Sequence, residues 1–457
     1  MIQIDPDLTA SALAPAAHRL FELSAVKINR LQARWNPADG TPVVTEAGRY
    51  SSRAWTEWTQ GFQFGAAILQ FDATGDRSFL DIGREATVTQ MAGHVSHIGV
   101  HDHGFNNVST YGNLLRLMNE GRIEEQRWER EFYQLALKLS GAVQAARWTA
   151  LGPDAGYIYS FNGPQSLFAD TVRSLRALAV SHQLGHRLMG EGDRAISLLD
   201  RLWQHARATA RYNVYFGEGR DHYDLRGRTA HESIFNLNDG AYRCPSTQQG
   251  YSAFSTWTRG LAWILLGYSE QLEFLATLDD TELEPFGGRA EVLPFFERVA
   301  RAVADFYLEH TPTCGIPYWD TGAPGLARMG DYLDLPADPF NEHEPVDSSA
   351  AAIAAQGLLR LGTWLGAAGD GGGGRYLAAG LAVARTLFAE PYLATDESHE
   401  GLLLHSIYHR PNGWDHVPQG SAIPCGESSM WGDYHARELA LWILRQAEGA
   451  PYLKFFL

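Results

Sequence analysis

Four histidines and one aspartate fall within ten residues of this chain, in the stretch HVSHIGVHDH at positions 94–103. Histidine is a frequent metal ligand, and His94, His97 and His101 would share one face if a helix ran through the stretch. Two glycines interrupt the helical pattern, however, no cysteine lies nearby, and the spacing matches no standard zinc signature. The stretch therefore admits two interpretations, a metal site or the edge of a pocket built around Asp102.

A second acid, Asp170, lies in the segment SFNGPQSLFADTVRSLRALA. The NGP turn and Ser166 predict the start of a helix, with Asp170 about one turn inside it. An acid at that place complements the helix dipole, but Phe161 and Phe168 also give it an apolar surrounding. Burial raises the pKa of a carboxyl group and a helix start lowers it, so a general acid requires the effect of burial to be the larger. Asp170 is thus either a helix-start acid or a catalytic one.

The segment HESIFNLNDGAYRCPSTQQGYSAFSTWTRGLAW carries a polar loop that closes at Gln249 and a helix that contains Arg259. The rest of that helix is largely apolar, so Arg259 needs an anionic partner, either a protein carboxylate or a substrate carboxylate. In AWTEWTQGFQFG, two tryptophans and two phenylalanines cluster at a predicted helix start. Trp58 of this cluster, which also holds Trp55, either stacks on a sugar ring or belongs to the hydrophobic core.

Helices must position these residues, because apolar residues recur at helical spacing along most of the chain. The pattern predicts about twelve helices, near residues 9–35, 54–71, 77–97, 109–119, 124–149, 165–185, 191–215, 255–277, 289–310, 348–366, 374–390 and 432–447. The connections between alternate pairs are long and rich in aromatic residues and glycine, as functional loops often are. This organisation predicts an all-α fold, a double-layered (α/α)6 barrel of six hairpins with residues 1–457 as a single catalytic domain. A protein of two helical domains is the alternative.

With 457 residues, of which 45% are hydrophobic and 20% charged, the chain can bury a large core. Its formal net charge of -16 argues against nucleic acid or an anionic membrane as a partner, since both are bound through clustered Lys and Arg. One or two local arginines can still hold a small acidic sugar. Three scattered cysteines, and a start without a basic segment followed by an apolar run, predict a cytoplasmic protein without disulfides.

Several ordered motifs resemble those of the unsaturated glucuronyl hydrolases, bacterial enzymes with a six-hairpin double-helical barrel. The most specific is QGYSAFSTWTRGLAW, which is similar to the family's glutamine-glycine-tyrosine loop and the tryptophan-x-arginine-glycine helix after it. HDHGF, WTQGFQFG and DSSAAAIAAQGLLRL resemble further motifs, and the resemblance extends from Trp58 to MWGDYHARELAL near the C-terminus. The chain departs from the family at Phe161, where a tryptophan is usual, and at Gln63, which replaces an aromatic residue.

The resemblance implies a role for each matching residue. Asp170 is expected to be the catalytic acid and base, and Asp102 the second essential aspartate. His101 or His103 is expected to orient Asp102. The residues expected to bind the sugar are His231, Gln249, Arg259, Trp58, Phe161 and His101. No metal or other cofactor is implied, which favours the pocket interpretation of HVSHIGVHDH over the metal interpretation.

The family acts on oligosaccharides that polysaccharide lyases leave with a 4,5-unsaturated uronic acid at the non-reducing end. The resemblance implies a hydration, in which Asp170 protonates C4 of the vinyl ether and assists water at C5. The resulting hemiketal opens and releases a keto acid and the remaining sugar, whereas an ordinary glycosidase uses two carboxylates across the glycosidic bond. The expected partner is an unsaturated oligosaccharide, such as a glycosaminoglycan disaccharide, bound by a monomer or homodimer.

Four alternatives remain open on the sequence. A saturated beta-glucuronidase and an unsaturated rhamnogalacturonyl hydrolase would both use the same scaffold and a similar pocket. A non-catalytic sugar-binding barrel would have no need of paired acids. A metal-dependent enzyme would use His94, His97 and His101 as ligands.

Overall fold

Helices account for most of the secondary structure in the computed structural model, which describes residues 1–53 and 57–456. Twelve helical runs among these residues are α1 (Ala10–Arg34), α2 (Gln60–Thr74), α3 (Arg77–Gln90), α4 (His103–Asn107, the π-helical turn Val108–Gly112 and Asn113–Asn119), α5 (Arg127–Ala146), α6 (Thr171–Ser174 and Arg176–Gln183), α7 (Leu198–Tyr212), α8 (Thr258–Ala276), α9 (Arg289–Glu309), α10 (Ser348–Ala367), α11 (Gly373–Leu387) and α12 (Met430–Ala447). Shorter helical turns lie at Pro37–Asp39, Ala92–Val95, Glu191–Asp193, Asp280–Leu283, Glu284–Phe286, Pro324–Arg328, Tyr332–Asp334 and Arg410–Asn412.

The even-numbered helices form a closed inner ring. Helix α2 packs against α4, α4 against α6, α6 against α8, α8 against α10, α10 against α12, and α12 against α2 again. The odd-numbered helices pack outside them, each against one or two inner helices. Burial follows the same division, since every residue from Met430 to Arg445 of α12 is buried while α7 buries about half of its length. The predicted all-α, double-layered (α/α)6 barrel is confirmed.

Short antiparallel strands lie in the connections between helices. The helical pattern of the sequence does not predict them. They are β1 (Pro42–Glu46), β2 (Arg49–Ser52), β3 (Trp148–Gly152), β4 (Ala155–Ile158), β5 (Ser166–Phe168), β6 (Leu188–Met189), β7 (Ala195–Ile196), β8 (Glu232–Phe235) and β9 (Tyr242–Ser246). Strands β1 and β2, β3 and β4, and β6 and β7 pair two by two, and β5, β8 and β9 form a three-stranded sheet in that order. All of them except β6 and β7 lie in connections that lead into an inner helix, whereas β6 and β7 lie between α6 and α7.

The predicted helix starts at residues 165 and 191 are wrong. Ser166 lies in β5 and pairs with Ile234 of β8, so it does not cap a helix, and Asp170 directly precedes α6 instead of lying one turn inside it. Cross-strand pairing outweighs the local helical pattern here. The helix predicted from residue 191 begins at Leu198, where the Ser197 side chain accepts a hydrogen bond from the Asp200 amide.

The predicted helix near 54–71 begins later, at Gln60. Trp55, which belongs to its tryptophan cluster, lies outside the described residues. Within the described part of the chain, no helix has the length and apolar character that crossing a membrane requires.

Six charged side chains meet inside the inner ring and are all at most 5% exposed. This interhelical charge cluster consists of Arg173, Arg176, Glu270, Glu273, Arg360 and Glu438, which belong to α6, α8, α10 and α12. Arg173 lies 2.9 Å from Glu270 and 3.6 Å from Glu438, and Arg360 lies 2.6 Å from Glu273. Three cations and three anions are thus balanced in a buried space, and removal of one leaves an unpaired buried charge.

We expect Arg173→Met to lower the free energy of unfolding by about 3–5 kcal/mol, because Glu270 would keep a buried charge without its partner. Urea denaturation followed by circular dichroism measures the change. Arg127→Met is the matched control, since Arg127 forms an exposed ion pair with Glu131, and we expect no measurable loss of stability. Equal stability of the two variants would contradict this role of the cluster.

Candidate active site

A cavity of about 240 Å³ opens at the end of the barrel where the inner helices begin. Its lining residues are Glu57, Trp58, Val100, His101, Asp102, Phe105, Phe161, Phe168, Asp170, Gln248, Gln249, Trp257, Arg259, Trp263, Tyr408, His409 and Trp414. Most of them lie shortly before the start, or in the first turns, of one of the inner helices α2, α4, α6, α8 and α12. The cavity therefore gathers the helix starts, whose partial positive charge favours acids and anionic groups.

The structure brings the sequence-predicted site residues together. Seven of the eight line this cavity, and the eighth, His231, lies behind it next to Asp170. A larger cavity of about 370 Å³ lies between α7 and α9, but it holds none of the predicted residues. The smaller cavity is the candidate active site because the acids converge there.

His101 joins the two predicted acids. Its Nε2 atom lies 2.8 Å from Oδ2 of Asp170, at hydrogen-bonding distance, and 3.7 Å from Oδ1 of Asp102. All three side chains are buried, with 1% of His101 exposed, 6% of Asp102 and 8% of Asp170. The expectation that His101 orients Asp102 is incomplete, since its hydrogen bond is to Asp170.

Contacts between neighbouring helix starts fix this arrangement. Gly104, at the start of α4, donates its amide proton to Oγ of Ser174 and accepts a hydrogen bond from Arg176 through its carbonyl oxygen. A Cβ atom at Gly104 would lie 2.3 Å from the Ser174 carbonyl oxygen, so only glycine permits this approach. The Gln144 side chain also donates to the His101 carbonyl oxygen at 2.9 Å. The start of α4 is thereby held against that of α6.

His231 reaches Asp170 because β5 and β8 pair side by side. The Ala169 amide donates to the His231 carbonyl oxygen at 2.8 Å, and His231 Nε2 lies 3.8 Å from Asp170 Oδ1. Nδ1 of His231 accepts hydrogen bonds from the amides of Gln248 and Gln249 at 3.0 and 3.3 Å. The proton of the neutral ring therefore lies on Nε2 and faces Asp170. Burial lowers the pKa of His231 to about 4, which keeps the ring neutral.

The two acids have pKa values shifted in opposite directions. Burial raises the pKa of Asp102, and this effect exceeds the opposing charge of His101. Burial also raises the pKa of Asp170, but the hydrogen bond and charge of His101 outweigh it and hold the pKa below its usual range. His101 itself has a raised pKa, because the two carboxylates outweigh the effect of its burial. Opposed shifts within one pocket are typical of acid–base catalysis.

One oxygen of Asp170 has no partner. Oδ2 is held by His101, whereas Oδ1 is buried and forms no hydrogen bond with any described residue. Unsatisfied buried polar atoms are rare in folded proteins and concentrate at functional sites. This unsatisfied oxygen therefore marks Asp170 as the candidate for proton transfer in the cavity.

Aromatic rings form much of the remaining wall. Trp58 stacks on Trp431 with ring centroids 4.9 Å apart, while it also lines the cavity, so it serves both core and pocket. Phe161 is 51% exposed and lies nearly parallel to the His101 ring at 6.1 Å. Flat apolar rings beside polar groups suit the faces and edges of a sugar.

The anionic partner of Arg259 is a protein carboxylate, that of Asp347. The Arg259 guanidinium lies 2.7 Å from Asp347 and donates to the carbonyl oxygens of Ile407 and Tyr408. It also donates to Oε1 of Gln249 at 2.9 Å, which leaves the Nε2 donor of Gln249 to face the cavity. Of the two partners left open by the sequence, the structure supplies the protein carboxylate, and Arg259 positions Gln249 at the cavity wall.

The metal interpretation of HVSHIGVHDH fails for its three histidines. No helix runs from His94 to His101, because one helical turn ends at Val95 and α4 begins at His103. His94 bonds to Gln60 at 2.6 Å. Among the described residues, the group with metal-ligand spacing is instead His101, Asp102 and Asp170, whose ligand atoms lie within 4.8 Å of one another.

Sequence reasoning did not predict ten of the lining residues as site residues, and four of these are of interest here. Tyr408, His409 and Trp414 come from the long loop before α12, whose aromatic residues and histidines were the available signal. Glu57 lies directly before Trp58, and no pattern distinguishes it from a surface acid. Its presence brings the acids of the cavity to three.

Known proteins of two kinds are similar to this chain, although no family model matches it. The unsaturated glucuronyl hydrolase of Bacillus sp. strain GL1 is 25% identical over 429 residues, which cover 91% of this chain and 93% of that protein. The unsaturated chondroitin disaccharide hydrolase of Streptococcus pyogenes serotype M1 is 24% identical over 423 residues, which cover 91% of this chain and 88% of that protein.

The barrel is also found in a solved structure. The crystal structure of the unsaturated glucuronyl hydrolase from Bacillus sp. GL1 matches with a TM-score of 0.70 and 22% identity, covering 96% of this chain and 98% of that one. The resemblance to the unsaturated glucuronyl hydrolases is thus confirmed along most of the chain, in sequence and in fold.

We expect His101→Phe to raise the pKa of Asp170, because the substitution removes both the hydrogen bond and the charge that hold it down while keeping an aromatic ring beside Phe161. Carbon-13 NMR titration of the aspartate carboxyl groups, assigned with Asp170→Asn, measures the shift. The exposed His18→Gln provides the control. An unchanged titration of Asp170 in His101→Phe would show that another group sets its pKa.

Proposed function

We propose that this protein is a glycoside hydrolase that removes a 4,5-unsaturated uronic acid from the non-reducing end of lyase-generated oligosaccharides, such as glycosaminoglycan disaccharides. The observation that carries the proposal is Asp170, with Oδ2 held by His101 and a buried, unpartnered Oδ1 in an aromatic cavity that also holds Asp102. The similarity to unsaturated glucuronyl hydrolases along most of the chain supports it. A non-catalytic sugar-binding barrel would have no use for an acid held in this way.

The charges around the cavity mouth suggest how the sugar is oriented. Around the ring of inner helices, Glu57 and Asp102 lie at the starts of α2 and α4, Asp170 at the start of α6, and the donor Gln249 beside the start of α8. Acids repel the carboxylate of a uronate and accept hydrogen bonds from its hydroxyls, whereas an amide donor attracts the carboxylate. The hydroxyl edge then faces α2 and α4, the carboxylate faces α8, and the C4–C5 bond lies at Asp170.

The proposed reaction is a hydration followed by ring opening. Asp170 gives its proton to C4, and a water molecule adds its hydroxyl to C5 while its second proton returns to Asp170. The C5 hemiketal opens to a ketone as the bond between C5 and the ring oxygen breaks, which leaves a hemiacetal at C1. The hemiacetal collapses to an aldehyde and expels the remaining sugar with a proton. Asp102 stabilises the oxocarbenium-like charge and orders the water, while neutral His231 faces Asp170 from behind the cavity.

Asp170 must be protonated for the first step, although His101 lowers its pKa in the free protein. A bound uronate brings a second negative charge and excludes water, and both effects raise the pKa of a carboxyl group. His101 has a raised pKa and lies 2.8 Å away, so it can supply the proton as the substrate binds. The acid is thus the hydrogen-bonded His101–Asp170 pair, from which Asp170 delivers the proton to C4.

An inverting glycosidase mechanism fits this geometry less well than the proposed hydration. Inverting glycosidases separate their two carboxyl groups by about 6.5–9.5 Å and retaining ones by about 5–5.5 Å. Oxygens of Asp102 and Asp170 lie within 4.8 Å of each other, and both acids lie near Nε2 of His101. A saturated beta-glucuronide is therefore the control substrate in the assay below, and an unsaturated rhamnogalacturonide would undergo the same chemistry.

We further propose that residues 1–457 form a single catalytic domain that acts in the cytoplasm, as a monomer or homodimer and without nucleic acid or membrane partners. One hydrophobic core cluster runs from Ile2 to Phe456, which supports the single domain. The net charge of -16 supports the absence of polyanionic partners.

We expect the wild-type protein to consume the ultraviolet absorbance of the conjugated double bond in lyase-generated disaccharides, and Asp170→Asn to lower kcat/KM by about 10³-fold or more. Asp102→Asn should also lower it strongly, because the pocket loses its second acid. Asp305→Asn is the control, since Asp305 lies in outer helix α9 and does not line the cavity. Retention of absorbance with every unsaturated substrate, together with cleavage of a saturated beta-glucuronide, would overturn the proposal.

Chelation separates this mechanism from a metal-dependent one. We expect dialysis against EDTA to leave kcat/KM unchanged, because every proton transfer proposed above is made by side chains. Added Zn²⁺ should inhibit, since His101, Asp102 and Asp170 have metal-ligand spacing and a bound ion would block proton transfer by Asp170. Loss of activity on chelation that Zn²⁺ restores would show that the cluster holds a catalytic metal.

A further inference from the structure

Glu57 is a third acid of the cavity, and the mechanism above gives it no role. It lies in the connection before α2, lines the cavity together with Asp102, and is partly buried. Its Oε2 atom is buried and forms no hydrogen bond with any residue in the described ranges 1–53 and 57–456. A carboxyl oxygen buried in this way is unfavourable unless something else, such as a ligand, satisfies it.

The charges that face Glu57 do not compensate its burial. Burial and the neighbouring charge of Asp102 raise the pKa of Glu57 to about 7, and Arg53 opposes them only in part. Arg53 donates instead to the Ser51 hydroxyl and the Ser52 carbonyl oxygen, at 3.1 and 2.8 Å. Tyr408 also interacts electrostatically with Glu57. It keeps its proton because burial raises its pKa to about 12.

Glu57 therefore changes its charge near neutral pH, in a pocket whose proposed substrate is an anion. When protonated, it can donate a hydrogen bond to a sugar hydroxyl. When ionised, it adds a negative charge beside Asp102 and opposes the entry of a uronate. In the order of the inner helices given above, Glu57 lies on the side of the cavity that faces the hydroxyl edge of the sugar in the proposed orientation.

We propose that Glu57 is a substrate-binding residue whose protonated carboxyl group donates a hydrogen bond to a hydroxyl of the bound unsaturated uronate, so that binding of this anionic sugar takes up a proton. This inference rests on the proposed function and adds a binding role for an acid that the reaction itself does not use. The hydrogen bond satisfies the buried carboxyl, and the proton removes its repulsion of the substrate. Linkage requires that a ligand which binds the protonated form also favours proton uptake.

Glu57 should also lower the free energy of unfolding of the substrate-free protein above about pH 4.5. Its folded pKa is raised above the ordinary value of 4.5, so the folded chain binds more protons than the unfolded chain between about pH 4.5 and pH 7. Stability contributed by this group is therefore lost as pH rises through that window and stays lost above it. Glu57→Gln removes the buried charge, and we expect it to raise the Tm at about pH 8.

Calorimetry of substrate binding tests the proton uptake directly. An unsaturated glycosaminoglycan disaccharide is titrated into Asp170→Asn, which does not turn it over, at about pH 7.5 in buffers with different ionisation enthalpies. We expect net proton uptake in Asp170→Asn and its loss in Asp170→Asn/Glu57→Gln. Glu46→Gln in the same background is the matched control, because Glu46 is an exposed acid that also contacts Arg53 but lies outside the cavity. Equal proton uptake in all three variants would refute the role of Glu57.

Steady-state kinetics separate binding from chemistry. We expect the KM of the wild type to rise about tenfold between about pH 6 and pH 8.5, and that of Glu57→Gln to change less than about twofold, because the amide donates at every pH. Glu57→Ala should raise KM about tenfold at about pH 6 with kcat within about threefold of the wild type.

The two proposals fail in different ways. Absence of turnover by the wild type would contradict the proposed function. Turnover with the same KM profile in wild type and Glu57→Gln, or an unchanged KM in Glu57→Ala, would contradict only the role of Glu57. Thermal unfolding of each variant verifies that it is folded at the pH of the assay.

Discussion

The hydrogen bond between His101 and Asp170 is the interaction on which the site depends. It joins the starts of α4 and α6, and it separates the pKa values of two acids that share one buried pocket. It also decides which oxygen of Asp170 is free, because the bond occupies Oδ2 and leaves Oδ1 without a partner. Without it, burial would raise the pKa of both Asp102 and Asp170, and neither would be distinguished as the group that transfers the proton.

The barrel makes this bond possible by closing its inner ring. Five of the inner-helix starts meet at one cavity, so residues distant in sequence come within hydrogen-bonding distance across neighbouring hairpins. Close contacts such as that of Gly104 with Ser174 set the spacing between the starts, and the interhelical charge cluster around Arg173 ties the inner helices together below the site. Rigid helices thus hold the acids, while the loops supply aromatic residues such as Trp414 that shape the entrance.

The sequence predicts the barrel and most of the site because both leave local signals. Apolar periodicity reveals the helices, and ordered motifs point to Asp102, Asp170 and Gln249. Other features depend on contacts between distant residues. Arg259 required a partner, but only the folded chain brings Asp347 to it. Glu57 carries no local signal at all, because its burial and its proximity to Asp102 arise when the helix starts meet. The direction of a pKa shift, likewise, follows from distances that no spacing in the sequence encodes.

The central claim is that Asp170 protonates C4 of an unsaturated uronate instead of attacking or protonating the glycosidic bond. The most direct measurement is proton NMR of the product formed in deuterium oxide at early times, before the new ketone exchanges its neighbouring protons. Hydration predicts a keto acid with one deuteron at C4, delivered to a single face of the sugar. Release of the intact unsaturated monosaccharide as first product, or deuterium distributed equally over both faces of C4, would contradict the claim.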